Sequence, residues 1–130
     1  MQTSSPHILI VEPEFLVALD AEYLITSAIA CRTTLLQPDQ FDRWDAPSLA
    51  AIDLCLLDLP FDAAEAAPRI DRLRKAGVPL LLTTANDRAG QGLATLEDLP
   101  VIMKPYDGEA LIALVGRWMR PPARCLENFR

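Results

Sequence analysis

The sequence has few residues that could hold zinc or form a disulfide framework. It contains one histidine, His7, and three cysteines, Cys31, Cys55 and Cys125, with no Cys-x-x-Cys pair and an odd number overall. A structural zinc site needs about four such ligands, and a disulfide framework needs cysteines in pairs. We therefore expect neither, and we interpret His7 as structural.

Long apolar runs and an excess of positive charge are also missing. No apolar run approaches the roughly 18 residues that span a bilayer, and residues 1–6 lack the charged and hydrophobic regions of a signal peptide. We therefore expect a cytoplasmic protein without a membrane partner. The net charge of −6 argues against nucleic-acid binding and fits a basic protein partner or a metal cation.

Five short apolar runs alternate with stretches long enough to form helices. This alternation is typical of a parallel α/β sheet with right-handed crossovers. We predict one domain over residues 7–120, with a disordered segment at 1–6 and a short tail at 121–130. The predicted strands are residues 7–11, 33–36, 54–57, 79–82 and 100–103.

Five helices are predicted between and after these strands. The first should be buried along much of its length because its apolar residues fall nearly all round. The fourth should be weak or mobile because it contains Gly90 and Gly92. An irregular loop at 61–67 should precede the third helix. The predicted helices are residues 13–29, 39–45, 68–77, 86–99 and 107–119.

Individual faces of the third and last helices can also be predicted. In the third helix, Ile70 and Leu73 should point at the sheet. The three arginines of that helix should face water. In the last helix the buried side should come from four apolar residues. The arginines are Arg69, Arg72 and Arg74, and the apolar residues are Leu111, Ile112, Leu114 and Val115.

Polar residues stand where four of the predicted strands end. Glu12 follows the first strand, Asp58 the third, Thr83 and Thr84 the fourth, and Lys104 the fifth. The carboxyl ends of parallel strands share one edge of the sheet, where open α/β folds bind ligands. We therefore expect these side chains to converge there. For Asp58 alone, an ordinary turn-capping role is the alternative.

At these positions the sequence resembles the receiver domain of two-component response regulators. The resemblance covers residues 7–119. It rests on Ile10-Val11-Glu12, on residues 53–58, on Thr84-Ala85 and on Lys104-Pro105-Tyr106. It implies a flavodoxin-like (CheY-like) doubly wound sheet in the order 2-1-3-4-5 with five helices.

The resemblance also implies a role for each residue of the edge. Asp58 would accept a phosphoryl group from a histidine kinase or phosphotransfer protein, and Lys104 would pair with Asp58 and then with the phosphoryl oxygens. Thr84 would move its hydroxyl onto the phosphoryl group. Glu12 and Asp58 would hold Mg²⁺. The domain would be a signalling module rather than an enzyme, and its fourth helix, fifth strand and fifth helix would contact a downstream protein. A homodimer is left open.

Three departures from the family pattern affect these expectations. Pro13 replaces the second acid that normally follows strand one, and the side chain of Glu14 is turned about 100° away along the helix. We therefore expect Mg²⁺ binding to be weakened at least as much as the 10–100-fold typical of a lost outer-shell partner. Val101 stands where an aromatic residue is usual. Residues 81–86 look like a variant of the Phe-Ala-Thr-Gly-Tyr strand of a single-domain receiver subgroup.

Three functional readings follow from this pattern. The first is a stand-alone phosphoacceptor receiver with weakened chemistry, and the second is a degenerate receiver that binds a partner without phosphorylation. Pro13 favours the second, whereas Asp58, Thr84 and Lys104 favour the first. The third, a small flavodoxin-like enzyme or nucleotide binder, needs a phosphate-binding loop after strand one. The acidic and bulky residues 12–15 disfavour it.

Overall fold

Five parallel strands form one sheet in the computed structural model, which describes residues 5–85 and 98–121. The sheet order is β2-β1-β3-β4-β5, and every neighbouring pair is parallel. The predicted fold and strand order are confirmed, with strand ends shifted by one or two residues. The strands are β1 (His7–Val11), β2 (Arg32–Leu36), β3 (Leu54–Asp58), β4 (Leu80–Thr84) and β5 (Val101–Met103).

Five α-helices and one 3-10 helix lie among the described residues. In this part of the chain no helix is both long and apolar enough to cross a membrane. Residues 86–97 of the fourth helix predicted at 86–99 lie outside the described residues, and residues 98–99 are not helical. The α-helices are α1 (Phe15–Ala28), α2 (Pro38–Asp42), α3 (Ala46–Ala50), α4 (Ala67–Lys75) and α5 (Gly108–Trp118), and the 3-10 helix is Ala63–Ala66.

The connections on either side of β3 differ from the prediction. The helix expected at 39–45 is α2, which ends at Asp42, and a second short helix, α3, follows it with Pro47 in its first turn. Proline is tolerated in the first turn of a helix, where its missing N–H has no intrahelical partner. The carboxylate of Asp45 caps α3 by accepting the N–H of Ser48. The loop expected at 61–67 is largely the 3-10 helix, and α4 follows it directly.

The core consists of two apolar layers, one on each face of the sheet. Alternate residues of each strand point to opposite faces, so β1, β3 and β4 contribute to both layers. One layer contains Phe41, Leu49, Ile70 and Leu73 from the helices between β2 and β4. The other is covered by α1 and α5, whose Leu111 and Val115 are buried as predicted, while Ile112 and Leu114 are half-buried.

The prediction that α1 is buried along much of its length is wrong. Its buried residues are Ala18, Ala21 and Ile25, which form one narrow stripe against the sheet. Its larger side chains Phe15, Leu16 and Tyr23 are exposed by 62%, 79% and 70%. A helix that packs on a sheet and one neighbouring helix can bury only one side. Apolar residues placed all round it must therefore leave some in water.

The third predicted helix is α4. The prediction that its arginines face water is correct for Arg74, which is exposed, and wrong for Arg72. The guanidinium of Arg72 donates hydrogen bonds to the carbonyls of Phe41, at 2.6 Å, and Trp44. It also lies 4.9 Å from the centre of the Phe41 ring. Arg69 is half-buried and pairs with Asp42 at 2.9 Å, so the prediction holds only in part for it. The Phe41 carbonyl also accepts the backbone N–H of Trp44, so Arg72 adds a second donor at the end of α2 and ties it to α4.

The contrast between buried and exposed leucines gives a test of this packing. Leu73→Ala removes a fully buried side chain of α4 and should lower the free energy of unfolding by about 2–5 kcal/mol. Leu16→Ala, on the exposed side of α1, should change it by less than about 0.5 kcal/mol. Urea unfolding followed by circular dichroism measures both. Equal losses at the two positions would contradict the described position of α1.

Candidate functional site

Glu12, Asp58 and Lys104 meet at the carboxyl edge of the sheet. Glu12 follows β1, Asp58 ends β3 and Lys104 follows β5. The Lys104 Nζ lies 2.8 Å from Glu12 Oε1 and 2.5 Å from Asp58 Oδ1. The side chains of Glu12, Asp58 and Lys104 are exposed by only 2%, 12% and 11%. The convergence predicted from the strand ends therefore holds for these three residues.

The two-residue period of a strand explains why these side chains share one side of the sheet. Ile10, Leu56 and Ile102 precede the three site residues by two positions and all belong to the layer under α1 and α5. The next residue of the same parity points the same way. The acids and the lysine are therefore aimed at one another by the register of β1, β3 and β5.

Glu12, Asp58 and Lys104, which we call the triad, carry two negative charges and one positive charge. Burial by itself lowers the pKa of Lys104. The hydrogen bonds and charges of Asp58 and Glu12 outweigh burial and raise that pKa above its ordinary value. Carboxylates with so little exposure need a hydrogen-bonded partner of opposite charge. Lys104 supplies it to both, so it remains an ammonium ion at neutral pH.

Glu12 also caps the start of α1. Its second oxygen, Oε2, accepts the backbone N–H of Glu14 at 3.1 Å. The first amides of a helix have no intrahelical acceptor, and Pro13 has no N–H to contribute. The side chain of Glu14, the residue that precedes the helix, makes no capping hydrogen bond to it. Glu12 therefore connects Lys104 to the N-terminus of α1.

The residues of this edge do not fit the three-carboxylate magnesium site that the family resemblance implies. Among the described residues, no group of three or more His, Cys, Asp or Glu side chains could hold a metal ion. Of the two carboxylates present, Glu12 is engaged by Lys104 and the Glu14 amide, and Asp58 by Lys104. Pro13 and Glu14 both lie at the exposed surface. A divalent cation would have to compete with the ammonium of Lys104.

Thr84 is buried at the end of β4. It follows Thr83, the residue of β4 that pairs with Asp58. The register pairs Asp58 with Thr83 and pairs Thr84 with Met103. Strand alternation therefore puts Thr83 on the face that carries Asp58 and puts Thr84 on the opposite face. The switch role of Thr84 stays a prediction.

Tyr106 is a neighbour of the triad that the strand-end pattern does not include. Burial, more than the nearby charges of Glu12 and Asp58, raises the pKa of its hydroxyl, and a hydrogen bond with Thr83 partly opposes this. The phenol therefore stays protonated beside the acids. A sequence signal existed, since Tyr106 follows Lys104 by two residues. The pairing of its hydroxyl with Thr83 could not be deduced without the fold.

His7 and the described cysteines take no part in this edge. His7 begins β1 at the other end of the strand. There its ring Nε2 lies 2.7 Å from the Thr34 hydroxyl, and its backbone N–H donates to the carboxylate of Asp53. Cys55 is fully buried in β3, and burial raises the pKa of its thiol. Cys31 is also a free thiol. These positions agree with the structural interpretation of His7.

Comparisons with known proteins find structural likeness at low sequence identity. No family model matches the chain, and no curated protein matches it. A receiver protein from Burkholderia phymatum superposes with a TM-score of 0.67 at 21% identity, covering 86% of this chain and 93% of that one. Chemotaxis protein CheY4 of Vibrio cholerae gives 0.66 at 15% identity, covering 89% and 100%.

A third solved structure agrees with these two. A CheY-like receiver domain protein from Methanospirillum hungatei gives a TM-score of 0.63 at 16% identity, covering 88% of this chain and 93% of that one. The chain therefore has the five-stranded fold of response regulator receiver domains, as the sequence predicted. At this identity the likeness concerns the fold.

Lys104 and Lys75, the two lysines of the chain, allow a matched test of the triad. Lys104→Met leaves two nearly buried carboxylates without their cation and should cost about 3–5 kcal/mol of unfolding free energy at neutral pH. Lys75→Met removes an exposed pair with Asp71 and should cost less than about 1 kcal/mol. Urea titrations at pH 7 measure both. Similar small losses would contradict the close pairing of Lys104.

The stabilisation that Lys104 provides should depend on pH in a defined direction. The pKa of Lys104 is raised in the folded protein, so its stabilisation should be complete below the ordinary lysine value of 10.5. It should be lost as pH rises through the folded-state pKa above that value. The difference in unfolding free energy between wild type and Lys104→Met should therefore persist from neutral pH to about 10. A difference that vanishes by pH 9 would contradict the raised pKa.

Proposed function

We propose that this chain is a receiver-type signalling module in which Asp58 accepts a phosphoryl group from the phosphohistidine of a histidine kinase or phosphotransfer protein. The observation that carries the proposal is the pairing of Asp58 with Lys104 at 2.5 Å on the carboxyl edge of a five-stranded parallel sheet. This edge is where folds of this class place their chemistry. A cytoplasmic location and membership of the single-domain subgroup are part of the proposal.

The transfer uses the carboxylate of Asp58 as a nucleophile. One of its oxygens forms a bond to phosphorus, the bond between phosphorus and the donor imidazole nitrogen breaks, and that nitrogen keeps the electron pair. The product is an acyl phosphate on Asp58. Lys104 reduces the repulsion between the incoming phosphoryl oxygens and the two carboxylates because its ammonium is already in place between them. The switch role proposed for Thr84 requires its hydroxyl to move from the opposite face of the sheet to the new phosphoryl group.

We assign charge neutralisation in this step to the ammonium of Lys104. Glu12 and Asp58 are the two carboxylates that Mg²⁺ would share, and both are hydrogen-bonded to Lys104. We therefore expect weak Mg²⁺ binding and slow transfer. The signal would pass by protein contact, with a downstream partner on the predicted fourth helix, β5 and α5. Val101 on β5 supplies no aromatic side chain for that output.

A second candidate function, a phosphorylation-independent interaction module, is favoured by one specific observation. Both oxygens of Glu12 are engaged, one by Lys104 and one by the N–H of Glu14. A charge network already satisfied in this way holds the edge in one arrangement without a ligand. In this second candidate function Asp58 stabilises the fold, and partner binding does not depend on phosphorylation of Asp58.

Incubation with acetyl phosphate distinguishes the two candidates. The phosphoacceptor proposal expects one phosphoryl adduct by intact mass, absent in Asp58→Asn and retained in Asp62→Asn, an exposed acid four residues on. The yield should rise with time because transfer is slow. No adduct on wild type after prolonged incubation, even at tens of millimolar Mg²⁺, would reject phosphoacceptance and leave the interaction module.

Restoring the missing acid tests the account of Pro13. Pro13→Asp should increase Mg²⁺ affinity at least about tenfold, because it supplies a third carboxylate next to Glu12. Pro13→Asn serves as the control, because asparagine has nearly the volume of aspartate but no negative charge. Mg²⁺ titration followed by amide chemical shifts of β1 and β3 measures the affinity. An unchanged affinity in Pro13→Asp would contradict the assignment of weak binding to Pro13.

A further inference from the structure

A cavity of about 340 Å³ lies between the start of α1, the end of β2 and the start of α2. Of the triad residues, only Glu12 is among the described residues that line it. Protein sites for small molecules enclose roughly 300–1,000 Å³. The cavity is at the lower end of that range, so its size suits one small organic molecule. We call it the α1–α2 cavity.

One side of the α1–α2 cavity is apolar. Phe15 and Ala18 are three residues apart on α1 and therefore lie on the same side of that helix. Leu35 and Leu36 line the cavity from the last two positions of β2. Phe15 is exposed by 62%, and both leucines are half-buried. The apolar part of a ligand would remove these surfaces from water, which is favourable.

Three polar residues also line the α1–α2 cavity, Glu12, Gln37 and Gln40. The side-chain oxygens of the two glutamines are engaged at the start of α2, where each accepts the backbone N–H of the other residue. Their amide nitrogens are hydrogen-bond donors. The Glu12 oxygens accept one hydrogen bond each, from Lys104 and Glu14, although a carboxylate has about four acceptor sites. A ligand can therefore donate to Glu12 and accept from the glutamines.

The charges around the α1–α2 cavity favour a cation. None of the described residues that line it is a lysine or an arginine, and the sequence has neither before Arg32. The triad, to which Glu12 belongs, has two carboxylates and one ammonium and is therefore negative overall. Glu12 is buried, so water screens its charge only weakly. An anion would need backbone N–H groups at the helix starts, where Glu12 and the glutamine side chains already accept hydrogen bonds.

We propose that the α1–α2 cavity binds a small amphiphilic amine. The apolar part of the amine packs against Phe15 and the two leucines of β2, and its ammonium group donates to Glu12. An oxygen on a neighbouring carbon accepts from the amide of a glutamine. Carboxylates and phosphates of similar size are disfavoured because the charge of Glu12 repels them. The proposal goes beyond the proposed function and does not require phosphorylation of Asp58.

Four related compounds test the proposal on the full chain at pH 7. Phenylalaninol carries an aromatic ring, an ammonium group and a hydroxyl. Phenylpropanol lacks the ammonium group, phenylpropionate carries a negative charge instead, and ethanolamine lacks the ring. Titrations followed by amide chemical shifts measure the affinities. Phenylalaninol should bind in a saturable manner and at least about tenfold more tightly than each of the other three, with shifts in the first turns of α1 and at residues 35–40.

Matched variants of the chain locate the contact. Phe15→Ala removes an exposed wall of the cavity and should weaken phenylalaninol binding at least about fivefold. Phe61→Ala removes a phenylalanine that is exposed by 87% outside the cavity and should leave binding unchanged. Gln40→Glu keeps the oxygen that accepts the Gln37 N–H and adds a negative charge. It should tighten phenylalaninol binding at least about threefold and weaken phenylpropionate binding. Circular dichroism verifies that each variant is folded.

Four outcomes would overturn the proposal. The first is equal binding of phenylalaninol and phenylpropanol, which would show that the ammonium group is not recognised. The second is tighter binding of phenylpropionate than of phenylalaninol, which would identify the cavity as an anion site. The third is shifts that do not saturate or that lie outside the cavity. The fourth is equal loss of affinity in Phe15→Ala and Phe61→Ala, or no loss in either variant.

Discussion

The ammonium of Lys104 between Glu12 and Asp58 is the contact on which the functional edge depends. It joins the ends of β1, β3 and β5, which are far apart in sequence. Glu12 extends the connection to α1 by accepting the N–H of Glu14. Buried carboxylates are tolerated only with such partners. The same three side chains therefore hold the edge together and provide whatever chemistry it has.

Pro13 changes what this edge can do. A second acid at that position would add a third carboxylate and a need for a divalent cation. With Pro13 in place, one internal ammonium compensates one of two negative charges, and the network is satisfied by protein groups. This balance is the reason that we propose a slow phosphoacceptor and, as a second candidate, an interaction module. The two candidates differ in whether Asp58 reacts with a phosphoryl donor while it is paired with Lys104.

The strands and the acid–lysine edge could be predicted because their sequence signals are local. Short apolar runs identified β1 to β5 to within one or two residues, since strands covered on both faces need apolar residues throughout. The burial of α1 could not be predicted in the same way. Apolar residues all round a helix do not reveal which side meets the sheet, so Phe15 and Leu16 were expected inside and are exposed. Arg72 was missed because its acceptors are carbonyls of another helix.

By itself, the sequence determined a parallel sheet through its alternation of strands and helices, and its strand-end positions identified Glu12, Asp58 and Lys104 as residues of one edge; the order of the strands was implied by the family resemblance. The hydrophobic periodicity and the positions of the strand ends can both be read from the sequence alone. Only the tertiary structure decided that Lys104 binds both acids and that Glu12 also caps α1. These contacts depend on distances between segments up to 92 residues apart, which packing fixes and local sequence does not.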